Sequence, residues 1–174
     1  LSPSDQMPSQ KILLYPHPVL KKMARSVDAV DDEIRGLIED LIDTMREGPG
    51  SVGVAAPQIG VSLRVCVVDV SNSKLGRDNN HGLLVLVNPE IVDREGVAIM
   101  REGCMSVPDY TGDVERATRI AIRYLDAEGT QCELESTGFE AVALQHEMDH
   151  LDGVLFLDRI SSIKTGLFRR KHYR

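Results

Sequence analysis

The hexapeptide Gln145-His146-Glu147-Met148-Asp149-His150 restricts what this chain can fold into more than any other segment. Two histidines four positions apart stack on one face of an α-helix, one turn from each other, where they can share a single ion with Glu147 beside it. The flanking residues support a helix. Thr137 and Glu140 have capping-box spacing, Gly153 closes the segment, and Phe139, Val142 and Ala143 form an apolar stripe that the two histidines continue. An ion at the end of that stripe lies at the end of a dry groove, suited to an apolar substrate side chain, whereas the bland alternative is core packing.

Two imidazoles do not complete a catalytic site, which uses three protein ligands and keeps a position for water. Asp152 and Asp158 are acidic candidates for the third ligand. Cys104 competes better, because a thiolate binds late first-row divalent metals tightly and Glu102-Gly103-Cys104-Met105-Ser106 is a glycine-hinged segment between strand-like runs. Cys66 and Cys132, inside strand-like runs, read as small buried hydrophobes. A further loop, Gly53-Val54-Ala55-Ala56-Pro57-Gln58, has small side chains that let backbone approach a ligand, and Gln58 offers an amide donor.

A single domain over residues 1–174, with a flexible segment over about the first ten, is expected from 42% hydrophobic residues in 174. Twenty basic against 27 acidic residues give a net charge of −7, which argues against a general phosphate-binding face and so against a DNA partner. No apolar run approaches the roughly 18 to 20 residues that cross a bilayer, so no membrane partner is expected. Three sparse cysteines indicate reduced thiols rather than disulfides.

Apolar residues at Ile34, Leu37, Ile38, Leu41, Ile42 and Met45 mark one face of a helix, with Asp31 or Asp32 as its cap and Gly48-Pro49-Gly50-Ser51 as its end. Runs over 63–70 and 83–87 read as buried strands, and Ile120, Ile122 and Tyr124, a turn at 126–130, then Cys132 and Leu134 read as a hairpin. Ile160, Ile163 and Leu167 form a last amphipathic stretch before the basic end from Arg169 to Arg174. The expected class is α+β.

Taken in order, three segments resemble the peptide deformylase family, which shares a G-x-G-Φ-A-A-x-Q loop, an E-G-C-Φ-S segment and a Q-H-E-x-D-H helix, Φ being apolar. Here they are Ser51 to Gln58, Glu102 to Ser106 and Gln145 to His150; Tyr15-Pro16-His17-Pro18-Val19-Leu20 and Val87-Asn88-Pro89 are family-like as well. Ser51 replaces the family's first loop glycine, which puts the path of the loop toward Gln58 in question, and Val54 and Met105 replace common leucines. The resemblance implies antiparallel β-sheets packed around a central helix carrying the histidines, with a C-terminal helix. It implies removal of formyl from the N-terminal methionine of new polypeptides, by one divalent ion on Cys104, His146 and His150. Ferrous iron is the inherited choice, with zinc, nickel or cobalt also compatible with the ligands.

The same resemblance makes Glu147 the general acid/base and Gln58 and the Met105 backbone N–H the oxyanion donors. The methionine side chain is expected among Val52, Gly53, Met100, Phe139, Val142 and Ala143. Asp149 and Gln145 are expected to support the ligands, and Arg116 to anchor Glu102. Formylmethionyl nascent peptides are the implied partners, the bacterial cytoplasm or an organelle matrix the compartment, and the basic end a point of contact with ribosomal RNA. Two other readings compete: an H-E-x-x-H metalloprotease cleaving internal bonds, and a catalytically silent homologue that binds nascent chains.

Overall fold

The computed structural model describes residues 11–160 and 162–170. The first ten residues, expected to be flexible, and the last four of the basic end lie outside the described residues. Helix α1 spans Asp32–Glu47, and Asp31 caps it by accepting a hydrogen bond from Ile34 N at 3.0 Å. Its apolar face buries Ile34, Leu37, Ile38, Leu41 and Met45, as the spacing predicts.

Strands β1 (Gly53–Ala55), β2 (Val65–Val68), β3 (Leu84–Glu95), β6 (Arg119–Leu125) and β7 (Gln131–Thr137) form one antiparallel sheet in the order β1-β2-β3-β6-β7. Strands β4 (Ala98–Cys104), β5 (Val107–Arg116) and β8 (Leu167–Arg169) form a second, in that order. Helix α2 (Gly138–Leu151) runs through the centre. The five-stranded sheet is covered on both faces where it matters most. Cys66, Val68, Leu86 and Ile122 pack toward α2, while Val54, Val65, Val67 and Val87 pack toward α1. That double coverage is why β2 reads as an unbroken apolar run rather than an alternation. The β6–β7 hairpin, wet on one side, does alternate: Ile120, Ile122 and Tyr124 are buried between partly exposed neighbours.

The structure departs from two sequence expectations and bears out the C-terminal helix as a short one. Strand β3 continues eight residues past Val87, because Arg119 pairs with Asp93, Glu95 and Glu135, and Arg123 with Glu90, so charged cross-strand pairs stand in for apolar ones. Thr137 is the N-cap of α2, but the reciprocal capping bonds do not form. Its hydroxyl accepts from Asn79, and Glu140 accepts from the Ser136 hydroxyl and the His81 backbone instead. The C-terminal helix is one turn, α3 (Ile163–Gly166), after which the chain extends as β8 along Tyr110 to Gly112 of β5.

Asn88 carries the break in the β3 register, at φ 52°. Its side chain accepts from Val27 N and donates to Val27 O, both at 2.8 Å, tying the segment before α1 to the sheet. Replacing it removes two bonds and places a Cβ-bearing residue without local compensation in a left-handed conformation. Asn88→Ala is expected to lower stability by about 2–3 kcal/mol, and Asn88→Gly to recover about 1 kcal/mol of that. Urea midpoints at an unchanged slope are the measurement.

Candidate active site

Helix α2 is buried on nearly all sides, so its polar residues are parts of the core and each faces a defined environment. His146, Glu147 and His150 are all buried, His150 to 1% exposure. Opposite them, β4 and β5 are joined by a two-residue turn, Met105-Ser106, which leaves Cys104 at the end of β4 facing the helix. Cys104 Sγ lies 3.3 Å from His150 Nε2, and one ligand atom from each of Cys104, His146 and His150 lies within 4.8 Å of the others. The other proposed third ligands are engaged elsewhere: Asp152 with Arg64 at 2.8 Å, and Asp158 with Lys21 and the Leu155 backbone.

Behind the ligands a chain of buried charge fixes their orientation. His146 Nδ1 donates to Glu102 Oε1 at 2.8 Å, which leaves Nε2 as the ligand atom. Arg116 binds Glu102 through two bonds of 2.7 and 2.8 Å and reaches Asp149 at 2.5 Å, and Arg159 grips the same Asp149 at 2.5 and 2.8 Å. Burial works against ionisation of Glu102, yet Arg116 and His146 hold its pKa down at about 2. Gln145 is engaged with the backbone of Ala117 and Ala141, so it braces α2 against β5 and touches no ligand.

The electrostatics suit a cation. Burial lowers the proton affinity of His146, but the neighbouring Cys104 and Glu102 carboxylate raise it well above the usual value, so the surroundings favour positive charge at that ring. Burial, with His146 and Arg116, drives the pKa of His150 well below its usual value and keeps it a neutral imidazole, the form that binds metals. Its Nδ1 and Glu147 Oε1 are the buried side-chain atoms without a hydrogen-bond partner among the described residues. Burial pushes Glu147 up to about 7. The thiol and imidazole donors therefore fit one divalent ion. Cys66, fully buried with its pKa raised by burial, is the inert thiol expected.

Cys104, His146 and Glu147 line the floor of a cavity of about 540 Å³, and His150 is buried beside Cys104 outside its lining. Val52, Phe139, Val142 and Ala143 make its apolar wall, as the sequence stripe predicts, and Gly53 lies at its edge. A Cβ on Gly53 would come within 2.8 to 3.0 Å of the Glu147 carboxylate end, so only glycine lets strand and carboxylate approach this closely. Met100 does not line the cavity; it is half-buried on β4, paired with Val114. Ser51 leaves the loop in place, since its hydroxyl bonds the Gly53 carbonyl at 3.3 Å and β1 pairs with β2.

Gln58 also lines the cavity. Its amide nitrogen donates to Cys104 Sγ at 3.4 Å and to Ser106 Oγ at 3.1 Å, while its oxygen accepts from Ala55 N. The segment before α1 backs both partners, through Leu13 N to Gln58 O and Tyr15 N to Ser106 O, each 2.8 Å. Sequence reasoning did not assign Ser106, although it closes the E-G-C-Φ-S segment, and it missed Arg159, Arg101 and Arg170. The first braces Asp149; the other two line the cavity mouth.

A thiol and two imidazoles converging beside a buried carboxylate at the floor of an apolar cavity are the equipment of a mononuclear metal-dependent hydrolase. The polypeptide deformylase family model matches residues 9–166. The peptide deformylase of Alkalilimnicola ehrlichii is 49% identical over 160 residues, 92% of this chain and 86% of that one. Among solved structures, the peptide deformylase of Legionella pneumophila superposes with a TM-score of 0.82 at 41% identity, covering 90% of this chain and 89% of that one. The class I type b enzyme of Acinetobacter baumannii bound to Met-Ala-Ser does so with 0.81 at 34%, covering 89% and 100%. The chain belongs to the polypeptide deformylase family.

Arg116 is the cation shared by two buried carboxylates, Glu102 and Asp149, whose other partners are His146 and the half-exposed Arg159. Arg116→Met, which keeps the stem but not the charge, is expected to cost about 3–5 kcal/mol of stability and to weaken metal retention about 10- to 100-fold. Denaturant titration, with the metal content of the folded fraction, checks both.

Proposed function

We propose that this chain removes the formyl group from the N-terminal formylmethionine of new polypeptides and releases formate, and that Cys104, His146, His150, Glu147, Gln58 and Met105 carry the reaction. The observation behind this reading is the meeting of the Cys104 thiol with both imidazoles, where Cys104, His146 and the Glu147 carboxylate line one apolar-walled cavity, in a chain of the deformylase family. The Acinetobacter baumannii relative, solved with Met-Ala-Ser bound, supports a peptide led by methionine as the occupant.

Cys104, His146 and His150 would hold a divalent ion, which would supply Lewis acidity toward water and the formyl group. Glu147 takes the proton of the attacking water and passes it to the methionine nitrogen as the C–N bond breaks. Gln58, whose amide points at Cys104 Sγ, and the Met105 backbone N–H in the β4–β5 turn donate to the developing oxyanion. Val52, Phe139, Val142 and Ala143 receive the unbranched methionine side chain and keep water out. Ferrous iron is the ion we assign in the cell, on the family resemblance; a sulfur and two imidazole nitrogens equally accept zinc, nickel or cobalt.

The bacterial cytoplasm, where formylated chains are made, is the compartment of this reading; among the described residues no helix is long and apolar enough to cross a membrane. The proposed ribosome contact now rests on Lys164 and residues 171–174, because Arg169 lies over the Tyr110 ring and Arg170 beside Gly103.

Formate release from a formyl-Met peptide under anaerobic conditions tests the reaction. Glu147→Gln is expected to retain metal and lose at least about a hundred-fold in turnover. Cleavage of internal bonds would favour a protease instead, and absence of formate with every metal would favour a silent binding protein. Cys104→Ser is expected to lower metal per chain after dialysis, read by elemental analysis; full occupancy in that variant would remove the sulfur from the ligand set.

A further inference from the structure

The mouth of the cavity carries two cations that the formyl-methionine chemistry does not use. Arg101 on β4 and Arg170, the residue after β8, both line it. The carboxylates of the lining are Glu102 and Glu147, both buried, and Glu102 is already bound by Arg116 and His146. The rim is thus positive on a chain whose net charge is −7. Arg101 is placed by its side-chain neighbours and Arg170 by its backbone and the open space over Gly103. Arg101 lies 3.6 Å from the centre of the Phe168 ring and forms a loose, partly exposed ion pair with Asp113 at 3.6 Å, too long for a hydrogen bond. Arg170 N donates to Asp109 O at 2.7 Å, and Arg170 Nη2 fills the space where a side chain on residue 103 would begin, 2.2 Å from an ideal Cβ there. Gly103 therefore admits the second cation to the rim.

The position of these charges along the substrate follows from strand geometry. Cys104 stands beside the reacting end, and Arg101 is three residues back along β4, about 10 Å at roughly 3.3 Å per residue. Strand β4 is the outer strand of its sheet, so a peptide leaving the cavity along it passes Arg101 and Arg170 at about its third or fourth residue. We propose that Arg101 and Arg170 determine specificity beyond methionine, favouring nascent chains with an acidic side chain at the third or fourth residue and disfavouring basic ones. This rests on the deformylase reading of the cavity. The selection is electrostatic and lies in binding, so it acts on KM more than on kcat and weakens as salt screens the rim.

Three amidated peptides, formyl-Met-Ala-Asp-Ala, formyl-Met-Ala-Ser-Ala and formyl-Met-Ala-Lys-Ala, and the corresponding set varied at the fourth residue, are compared on the metal-loaded enzyme. In one of the two sets kcat/KM is expected to fall in the order Asp, Ser, Lys, spanning about three- to ten-fold at low salt, mostly through KM, and to flatten at 0.5 M salt. The ratio is then read within each variant: Arg101→Ala/Arg170→Ala is expected to level it and Arg101→Glu/Arg170→Glu to reverse it. A purely structural role for either arginine would lower all three peptides together. Equal turnover of the three by the wild type in both sets, or a preference unchanged in the variants, would overturn the inference while leaving deformylation intact. If the Ser peptides release no formate, the deformylase reading falls and this one with it.

Discussion

Arg116 joins the two halves of this molecule. The thiol comes from the end of a hairpin in the three-stranded sheet, the imidazoles from a helix packed on the five-stranded one, and nothing covalent sets their separation. The guanidinium, on the last residue of β5, clasps Glu102 on β4 and Asp149 on α2 together, and Glu102 in turn fixes the ring of His146. Buried ion pairs are weak contributors to net stability compared with a hydrophobic substitute. Here the array ties β4, β5 and α2 to one another, because the two carboxylates on either side share the Arg116 guanidinium.

Helix α2 carries the proposed catalytic carboxylate and part of the core in the same turns. A helix buried all round ordinarily reads as uniformly apolar. This one buries Glu140, Gln145, His146, Glu147, Asp149 and His150, and all but Glu147 have a polar partner in the fold. The exception lines the cavity and has a buried oxygen with no hydrogen-bond partner among the described residues. Its isolation separates the group assigned to proton transfer from those that hold the scaffold.

Legibility in the sequence followed the environment of each element. Helix α1 and the β6–β7 hairpin have one wet and one dry face, so period 3.6 and period 2 were visible in the residues themselves. Cys104, His146 and His150 were legible because their chemistry is rare at such spacing. The distal half of β3 was not, because its partners are charged and lie across the strand. Glu140 was misassigned because a capping box and a bond to a distant loop look identical in sequence, and Met100 because only Arg101 to Cys104, the end of β4 nearest the turn, reach the cavity. Arg101 and Arg170 are far apart in the chain and meet only once β8 docks on β5.

The closeness of Gly53 to Glu147 couples two positions that sequence places 94 residues apart. A methyl group at 53 would fit only if residue 147 were shorter, and an aspartate there would draw the carboxylate back from the floor by one methylene. The two sites therefore drift as a pair or not at all. An evolutionary path that enlarges one must first sacrifice the reach of the other, which leaves neither position a neutral route away from its present residue.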